Sequence, residues 1–225
     1  MQTPAEKYLV KRLAEFLKKD ELKRVVAPRI LNIGADKSLS IENQLTASGS
    51  NYICDRIDIS DCGVDYFAVD KCWKCSVEEM SPVSSEYYFA AFANYVLEHV
   101  LVLDKAAREI YRVLKPGGVF ITSTSNPTAP EFVLARWTPL WFHKKIRSGE
   151  SWETHYAYKN IEELINIFED AGLRMIEIRR YPFVEGYLAR FFLLNILGKF
   201  YDKIISILKV KRFMGNACIV FEKNK

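Results

Sequence analysis

The sequence of 225 residues has no long apolar run. Nowhere do about 18 uncharged apolar residues follow one another, as a membrane-spanning helix requires. The N-terminal segment places apolar residues at helical spacing among lysines and glutamates, which predicts an amphipathic helix rather than a signal peptide. We therefore expect a cytoplasmic protein whose closest approach to lipid would be peripheral contact with a membrane.

An excess of charge of one sign is also lacking. The chain has 32 basic and 28 acidic residues, for a formal net charge of +4. So mild a charge does not indicate tracking of a phosphate backbone, and we do not expect nucleic acid as a partner. With 49% hydrophobic residues, the chain can bury the core of one domain.

Cysteine is scarce and odd in number, at five residues, so we do not expect a disulfide framework in a chain of this length. Four of the cysteines are close in sequence: Cys54, Cys62, Cys72 and Cys75. The last two form a CxxC pair, but the spacing of the first two is not that of a zinc knuckle. Free thiols near strand ends are therefore favoured over a metal site.

Apolar and helical patterns alternate along the whole chain. Strands are predicted at 29–34, 51–59, 64–69, 87–93, 119–124, 173–181 and 216–222. Amphipathic helices are predicted between them, including 103–114 and 160–171. This alternation predicts a single α/β domain over 1–225 with a doubly wound, mostly parallel sheet of seven strands. Ligands of such sheets bind beyond the carboxyl ends of the strands, where the strand order reverses.

Three segments extend this predicted domain: an N-terminal helix in 1–26, an insertion at 127–159, and an apolar helical insertion at 183–214. The second is aromatic, rich in histidine and too long for an idle loop, so we expect it on the substrate side. In the third, 187–209 forms a helix whose apolar residues cover all but one polar face. That surface should pack on its own domain or across a homodimer, or else lie on a membrane.

One motif goes beyond fold class. Leu97-Glu98-His99-Val100 is followed, after eleven residues, by Arg112-Val113-Leu114-Lys115-Pro116-Gly117-Gly118. The pair resembles the stretch after the fourth strand of class I S-adenosylmethionine-dependent methyltransferases, in the branch called type 11-like. The resemblance implies a Rossmann-like fold and S-adenosyl-L-methionine as the cofactor.

The resemblance also implies where the cofactor binds. A glycine-rich loop under the methionine part corresponds here to Asn32, Gly34, Ala35 and Asp36, although Asn32 replaces an acidic residue and Asp36 a glycine. The ribose carboxylate is Asp55 or Asp58. We prefer Asp55 slightly, because it lies about 21 residues past Gly34, the separation of one βαβ step.

The remaining cofactor contacts follow from the third and fourth strands. The resemblance places adenine beside Ser76 and Val77, and the sulfonium end beside Ala93 and Asn94.

Methyl transfer needs a base only if the nucleophile is a hydroxyl, because the sulfonium already activates the methyl group. The candidates are His143 and His155 in the 127–159 insertion and His99 in the motif.

The favoured function is methyl transfer to a small-molecule or lipid-linked acceptor, most readily at oxygen. The alternative is a non-catalytic protein of the same fold, used for binding or scaffolding, because the glycine loop is eroded. A dinucleotide-dependent redox enzyme is disfavoured, since no G-x-G-x-x-G follows the first strand.

Overall fold

The computed structural model describes residues 2–23, 25–137, 154–189 and 192–224. It contains a seven-stranded sheet in the order β3-β2-β1-β4-β5-β7-β6. The strands are β1 Arg29–Ile33, β2 Ile53–Asp58, β3 Val69–Lys74, β4 Tyr88–Asn94, β5 Leu114–Ser125, β6 Leu173–Tyr181 and β7 Asn216–Lys223. Strands β1 to β5 pair in parallel, whereas β7 runs antiparallel to both β5 and β6. The doubly wound, mostly parallel sheet is thereby confirmed.

Helices cover both faces of the sheet. They are α1 Pro4–Leu17, α2 Asp20–Lys23, α3 Ser40–Ala47, α4 Leu103–Val113, α5 Pro130–Trp137, α6 Ile161–Asp170, α7 Val184–Tyr187 and α8 Phe192–Leu208. Apolar side chains of α1 and α3 fill the core on one face, and those of α4 and α6 fill it on the other. In the part of the chain that the structure describes, no helix has the length and apolarity needed to cross a bilayer.

The strand order reverses between β1 and β4. From β1 the chain proceeds outward through β2 to β3, then returns to pair β4 on the other side of β1. The loops that leave β1 and β4 therefore diverge to opposite faces and open a crevice at the carboxyl ends of the strands.

The helix predicted at 160–171 forms as α6, and the side chain of Asn160 caps its start. The backbone N–H of Glu163 donates to Asn160 Oδ1 at 2.8 Å, and the Glu163 carboxylate accepts from the N–H of Lys159 at 2.6 Å. The two bonds satisfy donors at the start of α6 in the manner of a capping box.

The third strand begins later in the chain than was predicted. It spans Val69–Lys74 instead of 64–69, because only from Val69 does the chain pair with β2. At this edge of the sheet most side chains of the strand are exposed, so its apolar pattern is weak.

The expectation of free thiols was wrong for one pair. Cys62 and Cys72 form a disulfide, which closes the connection between β2 and β3. Sequence separation gave no signal for it, since the pairing depends on the loop folding back beside the edge strand. Cys54, Cys75 and Cys218 are free. No group of three or more His, Cys, Asp or Glu among the described residues could hold a metal ion.

Candidate functional site

A cavity of about 430 Å³ lies at the carboxyl ends of β1, β2 and β4, where the strand order reverses. Its lining residues come from the loops after these strands and after β3. They are Ile33, Gly34, Asp36, Ile57, Asp58, Ile59, Cys75, Ser76, Val77, Glu78, Asn94, Tyr95, Val96, His99, Val100 and Leu101. We call this the first cavity.

The loop after β1 keeps a tight turn although it has lost glycines. Gly34 has φ +68°, and Asp36 takes the left-handed conformation as well, with φ +48°. The Asp36 N–H donates to Asp58 Oδ2 at 2.9 Å, which ties this loop to the end of β2. The loss of glycines from this loop was the reason for considering a non-catalytic protein. The tight turn nevertheless forms, because Asp36 adopts the left-handed conformation that a glycine would otherwise supply.

A buried arginine, which was not predicted, supports the same loop. Arg56 donates from Nη2 to the carbonyl oxygens of Ala35, Asp36 and Ser38, at 2.8, 3.2 and 2.6 Å. Its Nε lies 3.5 Å from a carboxylate oxygen of buried Glu42. The sequence offers little signal for this role, because Arg56 lies between two aspartates in a strand where half of the residues are charged. A buried arginine needs several acceptors, and here the loop carbonyls supply them.

The structure separates the two aspartates proposed for the ribose. Asp58, at the end of β2, lines the first cavity, and its Oδ1 accepts from Ser60 N at 2.8 Å and Ser60 Oγ at 2.7 Å. These bonds orient the carboxylate and leave it lone pairs for a ligand.

Asp55 is fully buried in mid-strand and does not line the cavity. It accepts from Arg29 Nη1 at 2.9 Å, from the Tyr88 hydroxyl at 2.9 Å and from Lys71 N at 3.2 Å. The preference for Asp55 is therefore corrected. A count of about 21 residues from Gly34 reaches Asp55, in the middle of β2. Asp58 lies three residues further on, and because side chains alternate along a strand it points to the opposite face of the sheet.

The other residues of the predicted cofactor site divide into two groups. Gly34, Asp36, Ser76, Val77 and Asn94 line the first cavity. Asn32, Ala35 and Ala93 are buried and do not line it. Asn32 instead donates from Nδ2 to Glu42 Oε1 at 2.8 Å, so it belongs to the support under the loop.

Several lining residues were not predicted. Ile59 is 60% exposed directly after Asp58, and an apolar residue in a polar turn was the signal for it. Tyr95 has φ +55°, an uncommon conformation for a tyrosine, and its hydroxyl donates to Asn216 Oδ1 at 2.6 Å. Nothing in the sequence pattern indicated this strained position.

A second cavity of about 200 Å³ adjoins the first. It is lined by Thr3, Tyr95, Glu98, His99, Ser125, Phe132, Thr154, Tyr156 and Tyr187. Tyr95 and His99 line both cavities, so these two residues mark the junction.

Glu98 lies at the base of the second cavity with its side chain buried. Its carboxylate accepts from Ser125 Oγ at 3.0 Å and from Thr124 Oγ1 at 3.3 Å. Burial raises the pKa of Glu98 above its ordinary value, because desolvation penalises the charged form. Glu98 therefore gives the second cavity a polar lining group that two hydrogen bonds hold in place.

Aromatic rings form the walls of the second cavity. The Phe132 ring packs edge-on against Tyr156 and Tyr187, with centroid distances of 6.5 and 5.7 Å. Apolar walls with a few polar groups are typical of sites for small organic molecules.

The three candidate histidines have different positions. His99 is half-buried at the junction of the cavities. The side chain of His155 is exposed and lines neither cavity; only its backbone N–H takes part, donating to the Glu98 carbonyl at 2.9 Å. Of the two candidates within the described residues, only His99 therefore lines a cavity. His143 lies outside the described residues.

The first cavity fits a cationic ligand. Asp36, Asp58 and Glu78 line it, and no lysine or arginine is among the described lining residues. S-adenosyl-L-methionine carries a sulfonium and an ammonium group, which such a surface attracts. Its ribose diol suits the oriented Asp58 carboxylate, and apolar Ile59 and Val77 suit the adenine faces.

The topology, the position of the cavity at the strand-order reversal and its carboxylates define a class I methyltransferase that uses S-adenosyl-L-methionine. A family model described as "Methyltransferase domain" matches residues 2–178, and the chain belongs to that family.

Relatives and solved structures agree with this class. The chain is 30% identical over 161 residues to the human mitochondrial ubiquinone biosynthesis O-methyltransferase, covering 67% of this chain and 42% of that protein. It is 27% identical over 113 residues to a ubiquinone/menaquinone biosynthesis C-methyltransferase of Bordetella parapertussis, covering 46% and 43% of the two chains. The chain thus spans less than half the length of these curated relatives.

The fold is similar to that of phosphoethanolamine N-methyltransferase 2 from Haemonchus contortus, solved in complex with S-adenosyl-L-methionine. The TM-score is 0.61 at 17% identity, over 97% of this chain and 53% of that one. At this identity the likeness concerns the fold alone.

Gly34→Ala is expected to weaken S-adenosyl-L-methionine binding by roughly tenfold, because displacing the loop loses about one hydrogen bond of 1 kcal/mol or more. A Cβ at this position would lie 2.4 Å from Val96 Cγ2, so the loop must shift. Isothermal titration calorimetry gives the affinity.

Gly49→Ala is the matched control for this variant. Gly49 has φ +73°, but a Cβ there meets nothing within 4 Å. Both variants should lose about 1–2 kcal/mol of stability from the left-handed backbone. Equal cofactor affinity in the two variants would show that the contact between Gly34 and Val96 does not shape the site.

Proposed function

We propose that this protein transfers the methyl group of S-adenosyl-L-methionine, bound in the first cavity, to a hydroxyl oxygen of a small or lipid-linked acceptor in the second cavity. The observation that carries the proposal is that the two cavities meet at Tyr95 and His99. A cofactor and an acceptor in adjoining cavities can approach closely enough for direct displacement.

The cofactor binds in this proposal with its ribose hydroxyls on Asp58 and its adenine beside Ser76 and Val77. Its methionine part lies against the loop that contains Gly34 and Asp36. This orientation directs the sulfonium towards the junction of the cavities, since Asn94 and Tyr95 leave the adjacent strand β4.

The reaction is a single displacement. The acceptor oxygen forms a bond to the methyl carbon while the bond from that carbon to sulfur breaks. The electron pair of the broken bond stays on sulfur, which becomes a neutral thioether. The hydroxyl proton passes to the imidazole of His99 and from there to solvent. Histidine is the side chain that most often serves as a general base in enzymes. Glu98, the preceding residue, supplies a negative or hydrogen-bonding group at the floor of the same cavity.

The names of the relatives support a ring-containing acceptor with a lipid tail. The human relative acts in ubiquinone biosynthesis as an O-methyltransferase, and the Bordetella relative in ubiquinone and menaquinone biosynthesis as a C-methyltransferase. An aromatic acceptor would stack against Phe132, Tyr156 and Tyr187. A base candidate at the junction favours oxygen over carbon, because a hydroxyl must lose its proton on methylation.

Incubation with S-adenosyl-L-methionine labelled as CD₃ tests this proposal. The acceptors are a phenol, a catechol, and the same rings with a long alkyl chain. We expect the label on oxygen, which NMR distinguishes from a carbon-bound methyl group, and a lower KM for the alkylated rings. Label on carbon would overturn O-methylation. Tight cofactor binding without label on any of these acceptors would overturn the acceptor class.

A further inference from the structure

Helix α8 presents an apolar face to solvent. Phe192, Leu193, Ile196, Leu197, Phe200, Ile207 and Leu208 are each at least half exposed. Gly198 and Ile205, two turns apart, are its buried residues. Gly198 lies directly against the backbone of α7. Phe200 and Ile207 have the same spacing and project away from the protein, since each is roughly half a turn from that buried line.

The charges around this face are of one sign. Exposed cations follow the helix and the short 3₁₀ turn Lys211–Phe213: Lys199, Lys203, Lys209, Lys211 and Arg212. Within 192–213, all of which the structure describes, the single carboxylate is that of Asp202. It faces inward and accepts from the backbone N–H groups of Val184 and Glu185, at 3.0 and 2.9 Å. We call residues 192–213 the basic apolar surface.

We propose that the basic apolar surface docks on an anionic lipid bilayer. The apolar residues of α8 enter the boundary between headgroups and acyl chains, with the helix axis parallel to the membrane. The flanking lysines and Arg212 lie at the level of the lipid phosphates, where each basic side chain adds electrostatic attraction to an anionic leaflet.

Charge distinguishes the bilayer from a second copy of this chain. In a twofold dimer the same patch meets itself, so five cations of one copy would lie near five of the other. No outward carboxylate within 192–213 is there to offset them. An anionic surface covers the same apolar area and neutralises the cations as well.

The proposed docking surface is joined to the second cavity through α7. Gly198 lets α8 approach closely, since a Cβ there would lie 2.9 Å from Glu185 Cα. Tyr187, at the end of α7, lines the second cavity. Docking therefore holds that cavity near the bilayer, where a lipid-linked acceptor would reside. The lipid-linked acceptor rests on the proposed function, whereas the docking is independent of it.

Sedimentation with sucrose-loaded vesicles tests the docking. The vesicles contain phosphatidylcholine alone or mixed with phosphatidylglycerol. We expect the wild-type protein to bind the mixed vesicles and to lose most of that binding at high salt, because exposed charges are then screened. Failure to sediment with the mixed vesicles at low salt would overturn the proposal.

The paired substitution Phe200→Asp with Ile207→Asp should lower vesicle binding at least tenfold, and so should Lys199→Glu with Lys203→Glu. The control is Phe67→Asp, which changes another strongly exposed phenylalanine far along the chain. Calorimetric cofactor binding verifies that each variant is folded. An equal loss of vesicle binding in Phe67→Asp would contradict docking on lipid. So would a wild-type dimer in light scattering that Phe200→Asp splits into monomers. Vesicle binding without methyl transfer would leave the docking intact and reject only the proposed function.

Discussion

Asp55→Ala is expected to lower the free energy of unfolding by about 3 kcal/mol, because several donors lose their acceptor and each unsatisfied buried group costs about 1–3 kcal/mol. The Asp55 carboxylate is fully buried and accepts hydrogen bonds from Arg29, Tyr88 and Lys71. Its loss leaves the guanidinium and the phenol without that acceptor inside the sheet. Urea denaturation followed by circular dichroism measures the change.

Asp58→Ala is the matched comparison, since it removes the same group three residues away. It should reduce S-adenosyl-L-methionine affinity by about 10- to 100-fold, corresponding to about 1–3 kcal/mol for a lost charged acceptor. Its stability should change by less than that of Asp55→Ala, because the Asp58 carboxylate lies at the cavity. If Asp55→Ala folds normally and loses cofactor binding while Asp58→Ala binds as wild type, the assignment of the two carboxylates is reversed.

His99→Ala is expected to lower kcat by about 10²-fold or more with an oxygen acceptor, because general-base catalysis contributes about 10²- to 10⁴-fold. His99 is the histidine that the structure places at the junction of the two cavities. Single-turnover assays with the acceptor found in the CD₃ experiment separate the chemical step from binding and release.

His155→Ala serves as the control for this variant, since its side chain is exposed and lines neither cavity. The loss in His99→Ala should be smaller at high pH, where hydroxide or an ionised acceptor makes the base unnecessary. A pH-independent loss would assign His99 a positioning role. Unchanged turnover in His99→Ala would remove the proposed base altogether.

The order of elements was predictable because the central strands are buried on both faces and read as unbroken apolar runs, as β4 does at Tyr88–Asn94. The edge strand β3 gave no such signal, since its exposed side chains follow no apolar pattern. The disulfide was unpredictable for a related reason: Cys62 and Cys72 meet only after the loop beside that edge has folded.

The candidate site was predictable where the resemblance supplied a motif. It located Gly34, Asp58 as one of two choices, and His99, all of which line the first cavity. Arg56 and Glu42 could not be assigned, because their role depends on the loop carbonyls that the fold places above them. Spacing along the chain also could not separate Asp55 from Asp58, which required knowing where β2 ends.

A crystal structure with S-adenosyl-L-homocysteine bound would test the central claim most directly. We expect both ribose hydroxyls within hydrogen-bond distance of the Asp58 carboxylate, adenine beside Ser76 and Val77, and the sulfur facing the junction at Tyr95 and His99. Clear density for the ligand elsewhere on the molecule, or ribose hydroxyls bound by a residue other than Asp58, would contradict this account of the site.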